Sequence, residues 1–262
     1  MIQDSYADMA EGRLFVRLWG DFKGRPKGRA LPIVLLHDSL GSVELWRDFP
    51  AVLAEAAGHP VVAYDRLGFG KSDPYPGRLP ADFVRREGRT GLAAVRAALG
   101  IDRMILFGHS VGGGMSVCAA AAFPDGVAAV ITESAQAFVE DRTTAGIREA
   151  KTGFQAPGQM DRLARYHGDK AQWVLDAWTE TWLSPEFADW TLDEDLRAVR
   201  CPLLALHGDR DEYGSRLHPE RIAGLSGGTF EILEGCGHLP HREMPARVLQ
   251  PVARFLEAIG QG

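Results

Sequence analysis

The stretch Met104-Ile-Leu-Phe-Gly108-His109-Ser110-Val111-Gly112-Gly113 decides the fold. Its first four residues are apolar and read, with Arg103, as a buried strand ending at Phe107. A Gly-x-Ser-x-Gly turn follows. The Ala-rich run from Val111 to Ala122 then reads as a helix. Strand, tight turn and helix in this order form a nucleophile elbow. The turn is so sharp that only Gly fits on either side of the Ser. The Ser110 hydroxyl is thereby pushed out at the carboxyl end of a sheet, onto a helix N-terminus.

The segments around the elbow alternate strand and helix. Leu14 to Trp19 reads as an edge strand and Asp21 to Leu31 as a loop. Ile33 to Leu36 and Val61 to Tyr64 are short, fully apolar runs, of the kind buried on both faces of a parallel sheet. Between them Ser42 to Ala57 reads as a helix with Ser42 as its N-cap. Ala81 to Leu99 has helical spacing and stops at Gly100. Strands at Val127 to Ile131, Pro202 to Leu206 and Thr229 to Leu233 follow, with helices around Arg216 to Leu225 and from Pro245 to Ile259. This rhythm predicts an α/β fold with a mostly parallel central sheet flanked by helices.

One segment breaks the rhythm. Residues 135–196 contain helix-like stretches, no convincing strand, and four of the six Trp: Trp173, Trp178, Trp182 and Trp190. They read as a helical cap inserted into a core made of residues 1–134 and 197–262. A cap there would cover the carboxyl ends of the strands, where open α/β sheets bind ligands.

Composition narrows the partners. The chain has 262 residues, 45% hydrophobic and 24% charged, the balance of a globular protein. Its formal net charge of -6 offers no basic field to nucleic acid or anionic lipid. Its three Cys, far apart and odd in number, argue against a disulfide framework. Met1 to Ala10 is polar and acidic without an apolar leader segment, and no run approaches the ~18 apolar residues of a membrane span. These features predict a cytoplasmic protein acting on a small molecule, with neither nucleic acid nor membrane as partner.

A serine hydroxyl becomes nucleophilic when an imidazole accepts its proton and a carboxylate orients that imidazole. Among the eight His, His59, His167 and His218 fit surface positions better, and His109 is too close to Ser110 in sequence to act as its base. His207 ends a strand and fits a buried position. His238 stands in a Gly-rich loop just after the last strand, at the active edge of the sheet, with His241 as runner-up. For the acid, Asp209 and Asp211 follow one strand and Glu133 follows another; all three are placed to serve. The oxyanion needs two backbone N–H groups. Val111 supplies one. Ser39 is the first choice for the other and Leu40 the second, in the loop after Ile33 to Leu36.

Together these segments resemble the α/β-hydrolase superfamily, in its capped esterase and lactonase-like branch. The likeness spans about residues 13–260. Its marks are Leu35-Leu36-His37 with Gly41-Ser42 and Trp46, Tyr64-Asp65-Arg66 running to Ser72-Asp73, Gly108-His-Ser110-Val-Gly112-Gly113, Gly208-Asp-Arg-Asp211, and Gly237-His238 with Glu243 and Pro245. The resemblance selects Asp211 as the acid, three residues after the strand-ending Gly. It implies a Ser110–His238–Asp211 triad, no cofactor and no metal. One departure is Asp38, where the family usually has Gly; Asp tolerates unusual backbone angles better than most residues. Ser at the elbow argues against the dehalogenase and epoxide-hydrolase chemistries of the superfamily, which use Asp there.

The remaining motifs have plainer readings. Gly68-Phe-Gly70 lacks the third Gly of a dinucleotide loop, so it is structural. His238 and His241 lack a third ligand for a metal, and Cys118 fits the core of the elbow helix. The expected activity is hydrolysis of an ester or lactone of a small, largely apolar substrate, with Leu40, His109, Trp178 and Trp182 touching it. Carbon–carbon bond hydrolysis, thioester hydrolysis and acyl transfer are alternatives on the same triad. A non-catalytic ligand-binding protein is the alternative of another class.

Overall fold

Apolar runs pair into one eight-stranded sheet in the computed structural model, which describes residues 1–20 and 30–260. The strands are β1 (Ile2–Met9), β2 (Gly12–Trp19), β3 (Ile33–Leu36), β4 (Val61–Tyr64), β5 (Met104–His109), β6 (Val127–Glu133), β7 (Leu203–Gly208) and β8 (Thr229–Leu233). Their order is β1-β2-β4-β3-β5-β6-β7-β8. β1–β2 and β2–β4 are antiparallel; the remaining pairs, from β4–β3 to β7–β8, are parallel. β5 therefore lies at the centre, and its carboxyl end points to the edge where ligands bind in such sheets.

Both faces of the centre are covered, which is why β3, β4 and β5 are buried along their whole length. Alternate residues serve opposite faces. Val34, Leu36, Val62 and Leu106 pack on one side with Leu92 of α3 (Gly91–Leu99) and Met115 of α4 (Val111–Ala122). Leu35, Ala63, Ile105 and Phe107 pack on the other with Leu53 of α1 (Phe49–Ala57) and Val252 of α11 (Pro245–Gly260). α2 (Phe83–Arg89) precedes α3, α9 (Leu217–Ser226) links β7 to β8, and α10 (Pro240–Glu243) precedes α11.

Between β6 and β7 run α5 (Asp141–Gly153), α6 (Gln159–His167), α7 (Ala171–Trp182) and α8 (Asp193–Ala198). Among the described residues this segment holds no strand, only one isolated bridge between Phe138 and Thr191. Trp182, Phe187 and Trp190 stack there with ring centroids 5.0 to 5.5 Å apart and join the core on the α4 side of the sheet. Among the described residues no helix is long and apolar enough to cross a membrane.

Three local expectations are corrected. β1 is an unexpected strand. It is an edge whose side chains are mostly exposed, with Ala7 fully buried, so it carries no apolar signal; β2 recruits it as a hairpin. The helix expected over 81–99 is two, broken at Thr90 (φ -116°, ψ -85°). The break accommodates the half-buried Glu87 carboxylate, which accepts a hydrogen bond from the Tyr64 hydroxyl (2.9 Å) and which a Cβ at Gly91 would strike. The helix expected from Ser42 is a 3-10 turn, Val43–Trp46, followed by α1. Ser42 does not cap it. The Val43 N–H donates instead to Asp65 Oδ1 (2.6 Å). The loop expected over Asp21 to Leu31 falls, but for Ala30 and Leu31, outside the described residues. Gly100 ends α3 as expected, in the left-handed region (φ 63°).

Leu106 sits fully buried in the central strand. Leu106→Ala should lower unfolding free energy by about 3 kcal/mol, read from the shift of a urea midpoint.

Candidate active site

Between the last residue of β5 and the first of α4 stands one residue, Ser110, with φ 54° and ψ -124°. A side-chain-bearing residue in that region costs about 1–3 kcal/mol and persists only when its surroundings fix it. They do so here. The Ser110 N–H donates to the Glu133 carbonyl (2.8 Å), and the Gly113 N–H donates to the Ser110 carbonyl (2.9 Å). The flanking glycines are needed for space. A Cβ at Gly108 would run into the Gly112 carbonyl, and one at Gly112 into the Leu36 carbonyl. Both obstacles are main chain and cannot swing aside.

His238 lies in the loop after β8, and Asp211 three residues after the end of β7. The Asp211 carboxylate is fully buried. Its Oδ1 accepts from the Tyr213 and Gly214 N–H groups (2.8 and 3.2 Å), and both of its oxygens lie within 2.9 Å of His238 Nδ1. Nδ1 is thus the protonated nitrogen, which leaves Nε2 as the acceptor. Burial pushes the Asp211 pKa up, but His238 and the main-chain donors outweigh it and hold the carboxyl below its usual range. Burial also disfavours charge on His238. There the Asp211 carboxylate, helped by Glu212 and Asp38, prevails and raises the imidazole above its ordinary 6.5. The two other carboxylates are engaged elsewhere. Asp209 Oδ1 accepts from the Gly235 N–H (2.6 Å), and Glu133 Oε2 holds His241 Nδ1 (2.6 Å).

Ser110 and His238 line one cavity of about 190 Å³, together with Ser39, Leu40, Trp178 and Trp182. The amides of Val111, Ser39 and Leu40 have no hydrogen-bond partner among the described residues. Asp38, the departure from the family pattern, also borders the cavity, and its own carbonyl is held by Arg66 Nη2 (2.8 Å). The loop is tied from behind by His167, whose Nε2 donates to the Leu40 carbonyl (3.0 Å).

Other expectations are corrected. His109 was expected to touch substrate. It is absent from the cavity wall; it lies behind the elbow, buried, with Nε2 donating to the His238 carbonyl (2.7 Å). The turn separates the two: His109 is the last residue of β5, whereas Ser110, at φ 54°, leaves the strand and borders the cavity. His167 and His218 are buried rather than on the surface. Each joins segments distant in sequence: His167 Nδ1 accepts from the Gly70 N–H (2.9 Å) and His218 Nδ1 from the Ala137 N–H (3.1 Å).

Several cavity residues escaped the sequence reading. Gln136 accepts a hydrogen bond from the Ser110 hydroxyl at Oε1 (3.4 Å). Tyr213 packs edge-on against His238 (4.8 Å) and Trp178 (5.7 Å), continuing an aromatic wall. Tyr213 follows Asp211 by two residues, so its nearness was open to inference. Nothing in the sequence marks Gln136.

Among the described residues one trio has metal-ligand chemistry: His109, Glu133 and His241, with ligand atoms within 4.8 Å of one another. Two of their ligand atoms are already engaged, His241 Nδ1 with Glu133 Oε2 (2.6 Å) and His109 Nε2 with the His238 carbonyl (2.7 Å), whereas Glu133 Oε1 is buried with no hydrogen-bond partner among the described residues. The cysteines are free, and burial with the nearby Glu243 pushes the Cys236 thiol up to about 12, far from a reactive thiolate.

Fold and strained turn together define a hydrolase of the nucleophile-elbow class. The chain belongs to the alpha/beta hydrolase family, whose sequence profile matches residues 33–250. It is 23% identical over 293 residues to a proline iminopeptidase of Lactobacillus delbrueckii subsp. bulgaricus, covering 97% of this chain and 98% of that one. In fold it is similar to an esterase from Rhodococcus sp. ECU1013 (TM-score 0.72, 23% identity, 98% and 99% of the two chains). It is likewise similar to the enol-lactonase from Burkholderia xenovorans LB400 (TM-score 0.72, 20% identity, 97% and 100%). At these identities the solved structures speak for the fold alone.

If His238 is the base, it must be neutral to act, so kcat/KM should fall as pH drops through a midpoint above 6.5. Asp211→Asn removes the carboxylate that raises it. The variant should lose about 10³–10⁴-fold in kcat, and its acid limb should move to lower pH. A pH–rate profile of both proteins checks the size and the direction.

Proposed function

We propose that the protein is a serine hydrolase that cleaves a carboxylic ester or lactone of a small, largely apolar substrate through an acyl-enzyme. The observation that carries this reading is the Asp211-bound imidazole of His238, bordering the same cavity as Ser110. In the resting site the hydroxyl donates to Gln136. On substrate binding it turns to His238 Nε2, as catalytic hydrogen bonds often form only in the complex. The Ser110 oxygen then attacks the carbonyl carbon while Nε2 takes the proton. The Val111 and Ser39 N–H groups hold the oxyanion; each such donor contributes about 10²–10³ in rate. Collapse of the tetrahedral adduct breaks the bond to the leaving alkoxide, which takes the proton from His238. Water, deprotonated by the same nitrogen, releases the acid and restores Ser110.

Trp178, Trp182 and Leu40 give the acyl side an apolar wall, which favours a small hydrophobic acid. In this reading residues 135–196 act as a cap, because α7 brings both Trp rings to the cavity. Gln136, near the start of that segment, holds the hydroxyl between turnovers.

Ser110→Ala should remain folded and lose at least about 10³-fold of the turnover of p-nitrophenyl butyrate. Parallel assays of lactones, thioesters, ring-cleavage diketones and Pro-p-nitroanilide rank the bond types. The proposal expects esters or lactones to lead. Wild-type turnover by Ser110→Ala, or a clear lead for an anilide or diketone, contradicts it.

A further inference from the structure

Glu133 is completely buried, and its carboxylate takes no part in the chemistry above. Burying a carboxylate is costly unless it is paired. This one is paired with His241, and although burial pushes its pKa up, the His241 partner prevails and holds it below the usual range. Its connections are unusual because they run to both halves of the site. Its main-chain carbonyl accepts the Ser110 N–H (2.8 Å), and its side chain holds His241 Nδ1 (2.6 Å). His241 stands in α10, three residues after His238.

His109 closes the circuit. It faces Glu133 across the β5–β6 register, and its Nε2 donates to the His238 carbonyl (2.7 Å). Its ring centre lies 5.1 Å from that of His238 and 4.9 Å from that of His241. Burial, then the neighbouring His241, lower its pKa to about 4, so at neutral pH it keeps one proton for that carbonyl. Trp46 and Phe49 close the other side of His241 at 4.7 and 5.4 Å. The loop they steady needs such support, because glycines flank Cys236 just before His238 and Gly235 has φ 78°.

We propose that Glu133 is a positioning residue, which through His241 and His109 holds the His238 loop in a fixed place relative to the Ser110 turn. The inference rests on Ser110 and His238 being nucleophile and base. A misplacement of ~1 Å at such a pair costs about 10²-fold in rate without weakening substrate binding.

The test uses the full chain, p-nitrophenyl butyrate turnover and thermal unfolding. The double variant Glu133→Met, His241→Phe exchanges the pair for apolar groups of similar size, a change that often leaves stability intact. It should fold and lose about 10–100-fold in kcat, with KM within about twofold. Glu133→Gln keeps an oxygen that accepts from His241 Nδ1 and should retain kcat within about threefold of the wild type. A folded double variant with wild-type kcat overturns the proposal. So does a loss carried by KM, or a loss in Glu133→Gln as large as that of the double variant. Should the double variant fail to fold, His241→Asn, which keeps a donor for Glu133 but not the ring against His109, decides by the same kcat and KM criteria. Ser110→Ala run alongside separates the two readings: if it keeps wild-type turnover, the catalytic assignment itself has failed, whatever Glu133 does.

Discussion

The structure turns on one forced backbone conformation. Ser110 is held at φ 54° between the central strand and the helix that follows it, where side-chain-bearing residues rarely sit. The strain is sustained because β5 and α4 on either side are buried almost throughout and cannot relax independently. Relaxing the turn would mean moving the middle of an eight-stranded sheet. The two glycines that permit the turn are pressed against carbonyls of α4 and of β3, so the elbow is also a packing joint between three elements.

One burial effect yields opposite outcomes for neighbouring imidazoles. His109 is buried and His238 largely so, with ring centres 5.1 Å apart. Burial disfavours charge on each. His109 has a carbonyl and another histidine as its closest company, and its pKa falls to about 4. His238 has a carboxylate on Nδ1, and its pKa rises. Partner, not depth, separates a fixed donor from a titrating base.

Much of this was legible in the sequence where a residue's role follows from local pattern. The elbow announces itself because strand, Gly-x-Ser-x-Gly and helix are contiguous. β3 and β4 are readable because short apolar runs bounded by turns leave little choice. The pairing of Asp211 with His238 came from a resemblance rather than from spacing; before it, Asp209 and Glu133 stood equal. Proximity in sequence to Ser110 conceals the side on which His109 falls, because the turn at 110 takes the serine out of the strand. β1 was invisible because an exposed edge strand needs few apolar side chains. Gln136, the partners of His167 and the Glu133–His241 pair were unreadable, because each joins segments brought together only by the folded sheet.

The account stands or falls on a covalent bond at one oxygen. Incubation of the active enzyme with a fluorophosphonate, followed by peptide mass spectrometry, reads it directly. The account predicts stoichiometric loss of activity with the adduct on the peptide containing Ser110. An inactivated enzyme labelled at another residue, or a fully active enzyme whose Ser110 peptide stays unmodified under prolonged exposure, would contradict it.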